Sequence, residues 1–341
     1  MTCCNKALPP SRCRTLGKLL FMRVPLPAAM MTTSTAVALD TMTLSCKALP
    51  NLLRIIGLTA ALLAGALLGG CSAVKLGYNN APELAYWWLD GYADFNESQT
   101  PRVREELLRL HQWHRSAELP RIAELLQSTQ RIAASDIMPD QACAIFDQMR
   151  TRFTALTDMA EPAVVSLAMS LAPEQIRHIE GKLTKSNTEW RAEHLDGSFA
   201  ERSDKRLESN LERSEQFYGR LQERQRSVLR NVLETSSYDP RISYAERLRR
   251  QQDLLQTLGA LAPGSGAKTD VVAARAAMRA YLDRSLVSPN PQYRAYSEKL
   301  IAESCRALAQ LHNSTTPEQR ERAARRLAAY ERDVRELFGQ R

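Results

Sequence analysis

The chain's main apolar run, about 14 residues between Arg54 and Gly69, falls short of the roughly 20 that a membrane-crossing helix needs. Nor is there a convincing alternation of apolar and polar residues, which removes strand-built folds and leaves an all-α chain. Signatures of chemistry are missing as well. Beyond residue 70 there is no G-x-S-x-G, no H-E-x-x-H, no E-x-x-H pair and no glycine-rich phosphate loop. The sequence therefore calls for no cofactor, and its catalytic residue list is empty.

Two apparent riches also dissolve on inspection. The chain carries a net charge of +8, but residues 1–70 hold seven of its 46 Lys and Arg against one of its 38 Asp and Glu, leaving +2 for the remainder. The charges that remain are interleaved, as in Glu201-Arg202-Ser203-Asp204-Lys205-Arg206, which reads as solvated helix faces and not as a nucleic-acid surface. Of seven cysteines, four lie in the same first 70 residues, leaving Cys71, Cys143 and Cys305.

What is present is a leader. Leu52–Cys71 reads LLRIIGLTAALLAGALLGGC: an apolar run of about 14 residues behind Lys47 and Arg54, ending in small residues before a cysteine. This is a secretory signal peptide over 42–70, and Leu68-Gly69-Gly70-Cys71 resembles a bacterial lipobox. The resemblance implies cleavage before Cys71 and acylation of its thiol and new amine. Several acyl chains hold firmly where one holds marginally. Ser72 in place of Asp implies sorting to the outer membrane, facing the periplasm. Residues 1–41 show no helical or strand period and read as a start-site artefact upstream of Met42 (or of Met30 or Met31), or as an unstructured extension. With Cys71 lipidated, Cys143 and Cys305 form one possible disulfide in an oxidising compartment. It would close a loop of about 160 residues, on the order of 5 kcal/mol as an upper figure. Two separately buried thiols are the alternative.

After a tether over 71–80, residues 81–338 read as a single helical domain with a flexible linker at about 259–269. Asn80-Ala81-Pro82 opens a helix with Leu84, Trp87 and Trp88 on one stripe. Core packing is the expectation for the two Trp rings, and a membrane-interface anchor is the alternative. Thr100 caps the next helix with Pro101 in its first turn. The stripe Val103, Leu107, Leu110, His114, Ile122, Leu125 and Ile132 follows, kinked or split near Pro120. Further helices begin at Pro139 and Pro173, and between them Pro162 opens a short apolar segment through Val165 and Leu171. Phe199–Thr235 reads as one long central helix of roughly 50 Å, with Leu207, Leu211, Tyr218, Leu221, Gln225, Val228 and Val232 along a near-heptad seam. Ser243 and Glu246 make a capping box, and helices follow over 270–287, 291–311 and 317–338. Ala172-Pro173-Glu174-Gln175 and Thr316-Pro317-Glu318-Gln319 invite a repeat, although any well-capped helix selects such a start.

His111, His114 and Glu118, at i, i+3 and i+7, are weak candidates for a metal site, against a plain polar helix edge. His178 and His194 have no spaced partner. Together the lipobox, Tyr86-Trp87-Trp88-Leu89-Asp90, His111-Gln112-Trp113-His114-Arg115 with Glu118-Leu119-Pro120, the Pro-Glu-Gln helix leading to Trp190, and Leu311–Arg320 resemble a family of Gram-negative lipoproteins classified only as a domain of unknown function. The resemblance covers 71–338 and implies a helical envelope lipoprotein, with no catalytic residues; anchoring together with the missing catalytic constellation adds the expectation that it works by binding an envelope protein. A weaker similarity, through the Pro-Glu-Gln starts, is to the Spy-like periplasmic chaperones, although Ala172 stands where their motif has Thr. A helical-bundle enzyme or metal-binding protein is the third reading.

Overall fold

The computed structural model describes residues 73–263 and 270–339, and among them every regular element is helical. The leader, Cys71 and the last part of the expected linker lie outside the described residues. The helices are α1 Ala73–Asn79, α2 Ala81–Ala93, α3 Gln99–Trp113, a π-helical turn His114–Glu118, α4 Leu119–Ile132, α5 Pro139–Ala168 and α6 Pro173–His194. They continue as α7 Phe199–Tyr218, α8 Glu223–Glu234, α9 Pro240–Leu261, α10 Val271–Leu286, α11 Pro291–Asn313 and α12 Pro317–Gly339. No described helix is long and apolar enough to cross a membrane. Residues from Ala81 onward form one compact unit, and α1 belongs to a separate one that ends at Asn80.

Proline stands in the first turn of α4, α5, α6, α9 and α11, where its missing N–H costs nothing and its fixed φ suits the helix. Pro120 does split its helix: the π turn ends where α4 begins. Pro162 does not open a segment of its own. It sits inside the 30-residue α5, which runs on through it because α3, α10 and α11 all pack along that helix. Thr100 is not a cap either. Asn96 Oδ1 takes the N–H groups of Ser98 and Gln99 at 3.0 Å each, and Thr100 Oγ1 bonds the Tyr86 hydroxyl at 3.0 Å. Asp239, not Ser243, caps α9, accepting from Arg241 N–H at 2.8 Å. The expected linker is partly helix, since α9 continues to Leu261 and buries Leu258 and Leu261.

The long central helix is the largest correction. It breaks after Tyr218, where Gly219 has φ +75° and ψ −168°, a conformation essentially reserved for glycine. A Cβ there would meet Arg322 Nη1 at 2.9 Å. That guanidinium is the end of a flexible side chain and can swing away, so the backbone conformation sets the cost. Gly219→Ala is expected to destabilise the fold by about 1–3 kcal/mol, read as a lowered denaturant midpoint with unchanged slope.

The break lets the chain repeat itself. In the first half α2 pairs with α3, α2 with α6, and α3 with α5; in the second, α7 pairs with α8, α7 with α12, and α8 with α11. The halves are interlocked, because α4 packs along α12 and α9 along α6. The equivalent helices α5 and α11 meet antiparallel in the middle and are joined by a disulfide between Cys143 and Cys305 (S–S 2.06 Å, Cα–Cα 5.2 Å). α10 is the extra helix of the second half. One apolar cluster centres on Val165, Leu171, Ile179, Leu258 and Met278, a second on Tyr218, Leu221, Leu229 and Leu311, and a third on Ile137, Ala142, Cys305 and Ala309.

Candidate functional site

The most distinctive polar chemistry lies at four helix starts. An amide side chain three residues past a turn can accept the turn's own N–H through its oxygen and leave its NH2 free to donate elsewhere. Gln99 takes Asn96 N–H at 3.1 Å and Gln175 takes Ala172 N–H at 2.9 Å. The two amides then clasp each other at 2.8 and 3.1 Å. Each also donates into the other's turn: Gln99 to Ser170 O at 2.9 Å, Gln175 to Ala93 O at 3.0 Å and Asp94 O at 2.9 Å. The second half builds the same device. Gln225 takes Gln222 N–H at 2.8 Å and Gln319 takes Thr316 N–H at 3.0 Å. They clasp at 2.5 and 3.1 Å and donate to Ser314 O at 3.1 Å and Arg220 O at 3.0 Å respectively.

Of these four, the sequence reading singled out only the starts at 172–175 and 316–319 as a repeat. The signal for the rest was available: an apolar residue four before each glutamine, as in Phe95-x-x-x-Gln99 and Leu221-x-x-x-Gln225. Ile137-x-x-x-Gln141 is a fifth start of this kind, with Gln141 accepting from Met138 N–H at 2.8 Å.

A cavity of about 410 Å³ opens between α9 and α11, lined by Ile242, Ala245, Arg249, Asn290, Tyr293 and Tyr296. Beside it the buried Glu246 carboxylate accepts from Arg249 at 2.9 and 3.0 Å, Arg250 at 2.9 Å and Ser288 at 3.1 Å. Burial pushes that carboxyl up, but the two guanidinium groups outweigh it and hold it below its usual range. Arg249 also reaches Arg284 O at 2.9 Å, and Tyr296 OH accepts from Asp239 N–H at 2.9 Å. The Glu246, Arg249, Arg250 and Ser288 side chains thus form one bonded group that holds α9 against the start of α11.

The metal candidates His111, His114 and Glu118 lie on and beside a π turn. Their spacing in the sequence assumed a regular α-helix over 111–118, and the π turn His114–Glu118 interrupts it. Glu118 is fully buried, with its oxygens bridged to Arg121 at 3.0 Å and Arg152 at 3.4 Å. Among the described residues, no group of three His, Cys, Asp or Glu is placed to hold a metal ion. Burial lowers the pKa of His114, partly opposed by the Glu118 charge. The Trp stripe is also corrected: Tyr86 is the buried ring, under Arg104 at 4.0 Å, while Trp87 is 57% exposed. His178 lies 3.4 Å from Gly91 O, and His194 packs edge-on against Trp190 at 4.6 Å.

His312 is the buried histidine that the sequence did not single out. Its Nδ1 lies 2.9 Å from the Tyr218 hydroxyl and its Nε2 2.9 Å from Ser135 O, which fixes the Nε2–H tautomer with the tyrosine donating. Burial lowers its pKa, against the raising effect of Ser135 O, and burial pushes Tyr218 up to about 12. The unfolded chain therefore takes up a proton first as pH falls below the ordinary 6.5. Stability is expected to decline from pH 6.5 down to the depressed folded value and to level off below it. His312→Gln should flatten that part of a plot of denaturant midpoint against pH. A decline of equal size in the variant would assign it to other groups.

Residues 91–272 match the model of a family of unknown function (DUF6279). No curated protein and no solved structure matches the chain.

Proposed function

We propose the following for this chain, which belongs to the DUF6279 family of unknown function: it is an exported lipoprotein, acylated on Cys71 and held at the outer membrane facing the periplasm. Its helical domain works by binding an envelope protein. The observation that carries this reading is the Cys143–Cys305 bond, because such bonds form and persist in oxidising compartments. The leader ending in Leu68-Gly69-Gly70-Cys71 points the same way. Cells grown with labelled palmitate should yield a labelled, membrane-bound chain, and Cys71→Ala should abolish the label. An unlabelled product in the soluble fraction would contradict the reading. Crosslinking in cells followed by partner identification addresses the binding role.

A chaperone of the Spy-like kind is the second reading. Partial support comes from the stripes: Leu107, Leu110, Ile122, Leu125, Ile132, Leu207, Leu211, Val228 and Val232 are half-buried and Leu108 is 51% exposed, while Val103, Tyr218, Leu221 and Gln225 of the same stripes are buried. Suppression of aggregation of a reduced, unfolding client protein at stoichiometric amounts would favour it. No suppression would leave the single-partner reading.

A further inference from the structure

One face of α2 is largely apolar and outward-facing, and the helix begins ten residues after Cys71. Leu84, Trp87 and Gly91 follow one another at helical spacing on the exposed side; Leu84 is 37% and Trp87 57% exposed. Trp88, half-buried beside them, packs against Tyr92 at 5.1 Å. Of the acidic residues of α2, Glu83, one turn before Trp87, is exposed but charge-paired, and Asp90 is held by the backbone. Glu83 is paired with Arg104 at 2.5 Å, and Asp90 accepts Phe95 N–H at 3.0 Å.

An exposed Trp is costly in water and favourable in the headgroup layer, where an amphipathic ring sits between hydrocarbon and water. Position along the chain selects that layer as the occupant. Ala81 stands ten residues after Cys71. Ten residues reach at most about 36 Å when fully extended, and the seven of α1 contribute only about 10 Å as a helix. The tether therefore keeps the start of α2 within roughly 20 Å of the acylated residue.

We propose that the Leu84–Trp87–Gly91 face of α2 lies in the headgroup layer of the membrane that holds Cys71, with the Trp87 ring inserted. The lipid anchor supplies attachment, and this face fixes the orientation in which the helical domain meets its partner. The inference rests on the lipoprotein reading above.

The test uses the full acylated chain in vesicles of phosphatidylethanolamine and phosphatidylglycerol, with and without brominated acyl chains. Brominated lipid should quench part of the Trp emission, and Trp87→Phe should remove most of the quenched part. Trp190→Phe, at a buried position, should leave it in place. Both variants are checked for unchanged melting temperature. Equal quenching in wild type and Trp87→Phe, or a Trp87 that iodide in the water still reaches, overturns the proposal. A Trp87 shielded from iodide but untouched by brominated lipid also overturns it and points to a protein on this face. A chain that does not float with the vesicles overturns the anchoring reading itself.

Discussion

Reducing the Cys143–Cys305 bond is expected to lower the unfolding free energy by about 2–5 kcal/mol. The two cysteines are 162 residues apart, so the bond removes much of the freedom of the unfolded chain. It also ties the middle of the fold. Cys305 is fully buried among Ile137, Ala142 and Ala309, where α5 meets α11. Total stabilities of about 5–15 kcal/mol are ordinary, so the loss is a large fraction. Denaturant melts with and without reductant measure it directly. The Cys143→Ala/Cys305→Ala double variant should melt like the reduced protein and ignore reductant. A wild type whose midpoint does not move on verified reduction would remove the disulfide from the account of stability.

The second large effect is at the clasps. Gln225→Ala strands Gln222 N–H and Ser314 O at a nearly inaccessible site and removes the clasp from the Gln319 amide, which keeps Thr316 N–H and Arg220 O. Each unsatisfied buried group costs about 1–3 kcal/mol; partial access to water reduces the sum, and about 2–4 kcal/mol is expected for the whole substitution. A double-mutant cycle separates a clasp from two independent caps. Gln225 and Gln319 should couple by about 1–3 kcal/mol, whereas Gln225 and Gln175, in different halves, should add to within about 0.5 kcal/mol. Additivity within the Gln225–Gln319 pair would mean that each glutamine merely caps its own helix.

Local chemistry made the helices legible. Spacing by three and four gave the all-α class, and first-turn prolines placed several of the starts. The errors came where distant partners decide. The apolar seam from Leu207 to Val232 keeps its register across Gly219, so periodicity alone carries a helix straight through the break. Clasp partners stand 76 and 94 residues apart, and no local rule pairs them. Tyr86, rather than Trp87, faces inward because its hydroxyl finds Thr100 and its ring lies under Arg104. Of the metal candidates, Glu118 was identifiable by type but not by role, since its partner Arg152 comes from α5.

We propose, as above, an exported, lipid-anchored chain; its two halves are bonded through the Cys143–Cys305 disulfide. Intact-mass measurement of the protein extracted from membranes tests it most directly. The predicted mass is that of residues 71–341 carrying diacylglycerol on the Cys71 thiol and an acyl group on its amine, less two hydrogens, which reduction restores. A soluble product that retains residues upstream of Cys71, or one whose Cys143 and Cys305 alkylate without prior reduction, would contradict it.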